Sequence, residues 1–384
     1  MANLFLTPKQ IIAGENALDL SIEYLNKFGK KAFLVTDKMM VKLGALEKLT
    51  TVLENINIEY TIFDEVNSEP TDIIVNSGIE KYKENNCDFL IALGGGSPLD
   101  AMKAIGAMIT NEGKITDYLG KVIPNDPPVL VAIPTTAGTG SEATQFTIIS
   151  DTKNNVKMLL KGPSLIPTLA IVDPIFTLTA PKNVTAATGV DALTHAIEAY
   201  TSRKSQTMSD TFAISAVKRI YENILLAYED GSNVKAREEM AIGSLEAGIA
   251  FNNASVTIVH GMSRPIGALF HVPHGLSNAM LLEKCLEFAK SGAEEKFARL
   301  AKAIDVYKEG MSIEEAANEF VKSISLLLEK LNIDTLEDFG VDHEEFMSVS
   351  DKMATDALIS GSPQNTMRVP TKEEIVEIYA SLWS

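Results

Sequence analysis

The apolar pattern of this chain changes character near residue 180, and that change limits the folds open to it. Before it, short apolar runs alternate with stretches of helical period: Lys31–Thr36 (KAFLVT), Glu59–Phe63, Asp88–Leu93 (DFLIAL) and Val129–Ile133 (VLVAI). Consecutive apolar positions in runs this short suit strands buried on both faces, and the intervening helical patterns supply the covering layers of a parallel sheet. The sheet region ends near Ile171-Val172-Asp173-Pro174. From about Pro181 the period is helical almost throughout. Val190, Leu193, Ile197 and Tyr200 fall on one stripe, similar patterns recur over 208–228, 235–251, 276–290 and 312–330, and Thr371–Leu382 closes as an amphipathic helix. A chain of 384 residues also exceeds one ordinary core. The expectation is an α/β domain over 1–180 with a Rossmann-like parallel sheet, followed by an all-α domain over 181–384.

Charge and composition exclude several functions. A net charge of −17 argues against nucleic acid, whose phosphates require a basic face, and an anionic substrate would need a locally positive pocket. Cys87 and Cys285 stand far apart with no CxxC pair, as in a reducing compartment. Neither a signal peptide nor an uncharged apolar stretch of about 20 residues is visible, so a soluble cytoplasmic protein is expected.

In an open parallel sheet, ligands bind at the carboxyl ends of strands. After the strand ending at Leu93 comes Gly94-Gly95-Gly96-Ser97-Pro98-Leu99-Asp100 and then a helical pattern through Ile109. Ser97 reads as the helix N-cap and Pro98 as the first helical position. The glycines would let backbone N–H groups approach a pyrophosphate at the positive end of that helix; the plain alternative is a glycine turn. The pattern is not Gly-x-Gly-x-x-Gly. Its candidate acid, Asp37, ends the Lys31–Thr36 strand ahead of the glycines, whereas the usual acid follows them by about 20 residues. Asp37 either accepts from ribose hydroxyls or is a solvated loop residue. Two charges 4 Å apart at an effective dielectric near 20 interact by about 4 kcal/mol, and a quarter of that disfavours a 2′-phosphate several-fold. The next strand end, Pro134-Thr135-Thr136-Ala137-Gly138-Thr139-Gly140-Ser141, offers hydroxyls to a nucleotide or is a polar turn, and Lys157 neutralises phosphate, holds a nicotinamide ribose or is merely solvated.

The helical half carries the metal-binding signal. Asp191 and His195 stand at i, i+4, about 40° apart around a helix. Three of the five histidines (His260, His271, His274) crowd Ser255–Asn278. A lone core histidine is usually just hydrogen-bonded. Asp191, His195, His260 and His274 together require several polar burials in apolar helices unless they hold a divalent cation. His343 lies in the acidic Val341-Asp342-His343-Glu344-Glu345 and is left out.

On these residues the chain resembles the iron-containing (type III) alcohol dehydrogenases. The matching segments are GGGSPLDAMKAIG from Gly94, IPTTAGTGSEAT from Ile133, DALTHAIEAY from Asp191 and HGMSRPIGALFHVPHGLSNAMLL from His260, with Ser362-Pro363 and Thr371–Ile375 near the end. The likeness covers essentially the whole chain. It implies the dehydroquinate synthase-like fold, with the active site in a cleft between a dinucleotide-binding domain (1–180) and a metal-binding catalytic domain (181–384). It implies Asp191, His195, His260 and His274 as metal ligands. It implies NAD contacts from Gly94, Gly95, Gly96, Ser97, Asp100, Thr135, Thr136, Thr139, Phe146, Lys157 and Leu178, and a preference for NAD from Asp37. Homodimers pairing strands near Asn3–Leu6 are the family habit. Where many members have a histidine four residues after the third ligand, this chain has Arg264. That arginine either binds a substrate anion bidentately or turns away to pair with a neighbouring acid. His271 is a candidate proton relay.

The resemblance thus implies an NAD(H)-linked, metal-dependent alcohol dehydrogenase or aldehyde reductase acting on a small primary alcohol or aldehyde, with Fe²⁺ as the family metal. Zn²⁺ suits the same Asp–His₃ set. The rivals are a zinc-dependent polyol dehydrogenase of glycerol type and an NAD- and metal-dependent lyase or cyclase such as dehydroquinate synthase. A water-activating hydrolase leaves the glycine and threonine loops without purpose.

Overall fold

The computed structural model describes residues 2–383, which divide into two compact units: Leu6–Ala180, and the described residues of Met1–Phe5 with Pro181–Ser384. Among the described residues of the first unit, β1 (Gln10–Ala13), β2 (Lys31–Val35), β3 (Glu59–Phe63), β4 (Phe89–Gly94), β5 (Leu130–Pro134) and β8 (Leu169–Val172) form one parallel sheet. Its order is β1-β8-β5-β4-β2-β3, and β6 (Phe146–Asp151) pairs with β7 (Val156–Lys161) as a separate antiparallel hairpin. Strands of this sheet must bury both faces, and their alternation shows how. Phe33 and Val35 of β2 join Leu90 and Ala92 of β4 in one apolar cluster with Leu99 and Ile105, while Ala32, Leu34, Phe89 and Ile91 join Leu46, Leu49 and Leu53 on the other side. The covering helices are α1 (Ala45–Asn55), α2 (Asp72–Glu84) and α3 (Gly96–Thr110). Burying each large apolar side chain contributes about 1.5–3 kcal/mol.

The four apolar runs are β2, β3, β4 and β5 to within a residue or two. Two features lie outside the reading of the runs. β1 is a four-residue edge strand that pairs with β8 alone, and the β6–β7 hairpin interleaves Thr147, Ser150, Asp151 and Lys157 with its apolar residues. Half-exposed strands of this kind carry no continuous apolar run.

The topology sets the ligand-binding edge. β2 leads outward to β3, and the chain then returns to place β4 on the other side of β2, so strand order reverses between β2 and β4. Val35 pairs with Ala92 and Gly94 with Pro134, which brings the carboxyl ends of β2, β4 and β5 side by side. This is the switch point at which doubly wound sheets take ligands.

The second unit is helical: α4 (Lys182–Thr201), α5 (Thr207–Glu229), α6 (Val234–Ala254), α7 (Ile258–Phe270), α8 (His274–Lys290), α9 (Glu294–Ala303), α10 (Ile313–Lys330), α11 (His343–Ile359) and α12 (Lys372–Ser381). From Gly189 to Thr201 every residue of α4 is buried, and α5, α6 and α8 pack around it. A helix covered on all sides is ordinarily apolar, so the polar side chains within α4 need an account. Residues 3–6, where a strand was expected, adopt no regular element; Phe5 stacks on Phe212 at 5.9 Å and Gln206 donates to the Leu4 carbonyl. No helix among the described residues is long and apolar enough to cross a membrane.

Candidate metal centre and nucleotide loops

Asp191, His195 and Glu198 repeat at i, i+4, i+7 on α4 and so share one face; Asp191 is 3% exposed and Glu198 only 1%. Opposite them lie His260 in the first turn of α7 and His274 at the start of α8. Asp191, His195 and His260 each present one donor atom, all within 4.8 Å of one another. Asp191 Oδ1 lies 3.5 Å from His260 Nε2, 3.7 Å from His274 Nε2 and 4.0 Å from His195 Nδ1. The rings of His195 and His260 stack at 4.3 Å. The structure thus brings the expected set together, with the His274 side chain half exposed and the other three buried.

Glu198 and Asn278 were not anticipated. The Glu198 carboxylate accepts from Thr257 Oγ1 at 2.7 Å and the Val259 N–H at 2.6 Å, capping α7 from a neighbouring helix, and it holds His260 Nδ1 at 2.6 Å. His260 Nε2 is thereby directed at Asp191. The carboxylate–histidine pairing of metal sites has this form. Its signal in the sequence is the third member of the α4 stripe, three residues after His195. Asn278, one turn after His274, donates from Nδ2 to Asp191 Oδ1 at 2.6 Å, and the same nitrogen lies 3.1 Å from His260 Nε2 and 3.3 Å from His274 Nε2.

The electrostatics demand positive charge here. Burial alone would raise the Asp191 pKa, but the imidazoles of His195, His274 and His260 gathered around it hold it well below the carboxylate range. His195 is pulled down to about 3, chiefly by burial, and so presents a neutral imidazole. Burial also opposes charge on His260, yet Glu198 and Asp191 lift it to about 9. An anion, a neutral imidazole and a site that attracts a cation between two carboxylates make a donor set for a divalent metal. His195 Nδ1, buried without a hydrogen-bond partner, is the orphan atom that such an ion would satisfy. The residues fit the implied metal. With no thiolate present, the set suits Fe²⁺ or Zn²⁺.

In the first unit the sequence candidates gather at the strand ends. Helix α3 begins at Gly96 with Gly95 as N-cap and no side-chain capping bond. Ser97 and Pro98 therefore lie inside its first turn rather than at its cap, a correction that leaves the first N–H groups without a side-chain acceptor. A Cβ on Gly94 would lie 2.5 Å from Pro98 Cγ of its own loop, and one on Gly96 would press on Thr139 Cγ2 at 3.0 Å, so at Gly96 a bare backbone lets the threonine loop approach closely. Thr136 packs beside Gly95, and the Thr135 N–H donates to the Gly94 carbonyl at 3.0 Å. Asp37 caps the five-residue helix Lys38–Lys42 through Oδ1, which accepts from the Met40 N–H at 2.9 Å.

Beneath these loops lies a second buried polar cluster, around Lys103. Its ammonium donates to Ser141 Oγ, Thr144 Oγ1 and the carbonyls of Thr144 and Phe146, at 2.9–3.1 Å. Asp100 accepts from Ser141 Oγ and the Ile148 N–H, so its carboxylate ties α3 to β6. Lys157 pairs with Glu69 at 2.5 Å on the surface of the hairpin, Phe146 is half buried at its base, and Leu178 is half buried after β8. In the second unit, exposed His271 closes α7 in the left-handed region, φ 56°, and Arg264 donates to Ser362 Oγ at 3.2 Å. His343 lies against Trp383, apart from the metal set.

A switch-point sheet with a glycine loop at a helix start, joined in one chain to a buried carboxylate–imidazole centre, defines a metal-dependent enzyme with a nucleotide-binding unit. Residues 8–174 match the family described as iron-containing alcohol dehydrogenase, and residues 185–383 match the Fe-containing alcohol dehydrogenase family C-terminal domain. The chain is 39% identical over 380 residues to 1,3-propanediol dehydrogenase of Citrobacter freundii, covering 98% of this chain and 97% of that one. It superposes on a crystal structure of 1,3-propanediol oxidoreductase with a TM-score of 0.96, at 36% identity and full coverage of both chains. A sulfoacetaldehyde reductase from Bifidobacterium kashiwanohense, solved in complex with NAD+, matches with a TM-score of 0.88 at 26% identity, covering 100% of this chain and 99% of that one. The chain belongs to the iron-containing alcohol dehydrogenase family. It is accordingly a metal-dependent oxidoreductase of the alcohol dehydrogenase and aldehyde reductase class.

Proposed function

We propose that this enzyme interconverts a small primary alcohol and its aldehyde using NAD(H), with the dinucleotide carried by Leu6–Ala180 and the metal by Pro181–Ser384. The observation that carries this reading is the buried Asp191–His195–His260 set with its orphan nitrogen and its Glu198 anchor. Asp191, His195, His260 and His274 would hold the divalent ion, which supplies Lewis acidity toward the substrate oxygen. The dinucleotide supplies the hydride acceptor or donor.

The chain's own residues do the rest. The N–H groups at the start of α3, bared by Gly94, Gly95 and Gly96 with Ser97 beside them, receive the pyrophosphate. Asp37 accepts from ribose hydroxyls with the oxygen that does not cap its helix. Thr135, Thr136 and Thr139 line the nicotinamide side with Phe146 and Leu178, and Lys157 exchanges Glu69 for the cofactor. Asp100 acts by holding Ser141 and β6 in place rather than through a free carboxylate. His271, exposed at the end of α7, passes the alcohol's proton to solvent. Buried, unpaired Cys87 and Cys285 suit a cytoplasmic enzyme, and the subunits are proposed to pair as a homodimer.

The test is NADH absorbance across a panel of aldehydes and alcohols, anaerobically, with Fe²⁺ or Zn²⁺ restored to chelator-treated protein. Metal-dependent turnover is expected. Equal turnover in the chelated protein would reject the metal's role, and metal-dependent chemistry with no net NADH change would favour a lyase or cyclase.

A further inference from the structure

We propose that Arg264 and Ser362 form an anion subsite, and that the substrate is a short aldehyde, or its alcohol, carrying a carboxylate, phosphonate or sulfonate at the far end. This rests on the alcohol–aldehyde reading above and supplies its substrate class.

His260 and Arg264 stand four residues apart on α7, on one face and separated by a rise of about 6 Å. Arg264 is half-buried, which draws its pKa below the ordinary value, and among the described residues its one hydrogen bond is Nη1 to Ser362 Oγ at 3.2 Å. Among the described residues it makes no ion pair. The acid whose charge reaches it is Glu198, and both Glu198 oxygens are already engaged by Thr257, Val259 and His260. The alternative in which the arginine pairs with a neighbouring acid therefore lacks its acid. A half-buried guanidinium with most of its five donors unclaimed by protein is open to an anionic group from outside the protein.

The cradle is also fixed. Ser362 is 5% exposed, and the turn it begins is pinned by Asn365, whose amide donates to Ser255 Oγ at 3.1 Å and to the Val256 carbonyl at 3.0 Å, just ahead of α7. Pro363 packs against Gly261, where a Cβ would lie 2.6 Å from its ring. Arg264 and Ser362 are thus held one helical turn from a metal ligand. A rise of about 6 Å between the two backbones is the scale of a tail of a few bonds, so short anionic aldehydes are the ones to test. In a chain of net charge −17, selection of an anion has to be local. The reaction balances with the tail as a spectator: R–CHO, NADH and a proton give R–CH₂OH and NAD⁺.

The experiment compares 4-oxobutanoate and 2-oxoethylphosphonate with butanal, in metal-loaded wild-type enzyme, Arg264→Gln and Arg264→Lys. Wild type is expected to favour the anionic aldehydes over butanal in kcat/KM. Arg264→Gln should cut that ratio by about 10–100-fold, mostly through KM, and Arg264→Lys should restore part of it as a point charge. The two anions together decide between carboxylate and phosphonate. A ratio unmoved by Arg264→Gln, or a wild type indifferent to the anion, overturns the proposal. Calorimetric binding of 4-hydroxybutanoate to wild type and to Arg264→Gln separates this proposal from the one it rests on. Binding that requires Arg264 supports the subsite even if no aldehyde consumes NADH, whereas absent or equal binding sinks it.

Discussion

Two polar clusters buried among the described residues, one in each unit, differ in how completely they satisfy themselves. Around Lys103 the bonding is nearly closed: one ammonium meets four oxygens, and Asp100 meets two donors. Around Asp191 it is open: His195 Nδ1 has no partner, and three imidazoles turn toward a single carboxylate oxygen. A closed network spends its hydrogen-bonding capacity on holding backbone in place, here the loops proposed to carry the nucleotide. An open one keeps donor atoms in reserve for a ligand. The contrast separates scaffolding from chemistry without reference to residue type, since both clusters combine carboxylates with basic groups.

The largest effect that could break this contrast comes from the open cluster. His260→Ala removes a donor that lies within 4.8 Å of two others, so it should abolish stoichiometric metal by atomic absorption and lower kcat at least about 1,000-fold. Undiminished activity in metal-free mutant protein would overturn the site. Glu198→Gln comes next. It keeps an oxygen for the Val259 N–H but discards the charge that directs His260, and metal affinity measured by chelator competition should weaken about 10–100-fold. If Glu198 merely caps α7, the melting temperature will fall while metal affinity stays put.

How far each region could be read from sequence follows the same division. Apolar runs buried on both faces announce themselves, as KAFLVT and DFLIAL do, whereas the half-exposed β6–β7 hairpin hides Thr147 and Asp151 among its apolar positions. The metal ligands stood out because histidine is scarce in this chain and helical spacing places Asp191 and His195 on one face. Glu198 and Asn278 sat on the same helical stripes as Asp191 and His274. Glutamate and asparagine are common on helices, and only the packing around α4 and α8 turns these two inward. Lys103 was invisible for a stronger reason: a lysine in MKAIG looks solvated, and its burial is decided by the oxygens of a segment about 40 residues away. Ser97 looked like a cap because its residue type favours one, but the helix starts before it.

The closed cluster makes a smaller prediction, and a pH-dependent one. Glu142 is 1% exposed, its Oε2 lacks a partner, and burial pushes its carboxyl up to about 7 against the attraction of Lys103. Its ordinary value is 4.5, so between the two values the folded state binds the proton more tightly than the unfolded chain. Stability is then fullest below pH 4.5 and declines as pH rises toward and through about 7. Over that window Glu142 should account for a loss of about 1–3 kcal/mol. Glu142→Gln should flatten that part of the curve, as measured by denaturant unfolding of the metal-free protein from pH 5 to 8. Parallel curves would mean that the network holds Glu142 charged and is closed after all.

The smallest effect tests whether the loops above the closed cluster serve the nucleotide at all. Asp37 spends one oxygen on the Met40 N–H, and the helix it caps is only five residues long, so losing the cap costs about 1 kcal/mol locally. Glycine keeps most of the capping geometry and removes the charge, which makes Asp37→Gly cleaner than alanine here. Without that carboxylate a 2′-phosphate no longer meets a like charge at the switch point between β2 and β4. The ratio of kcat/KM for NADP over NAD should rise about 5–10-fold, equivalent to roughly 1–1.4 kcal/mol of repulsion removed. The rise should shrink as salt is added, because Asp37 is partly exposed and its charge is screened. A ratio that stays fixed while NAD affinity is also unchanged would remove Asp37 from the ribose site and leave it as a helix cap. The open cluster, which shares no residue with it, would stand as before.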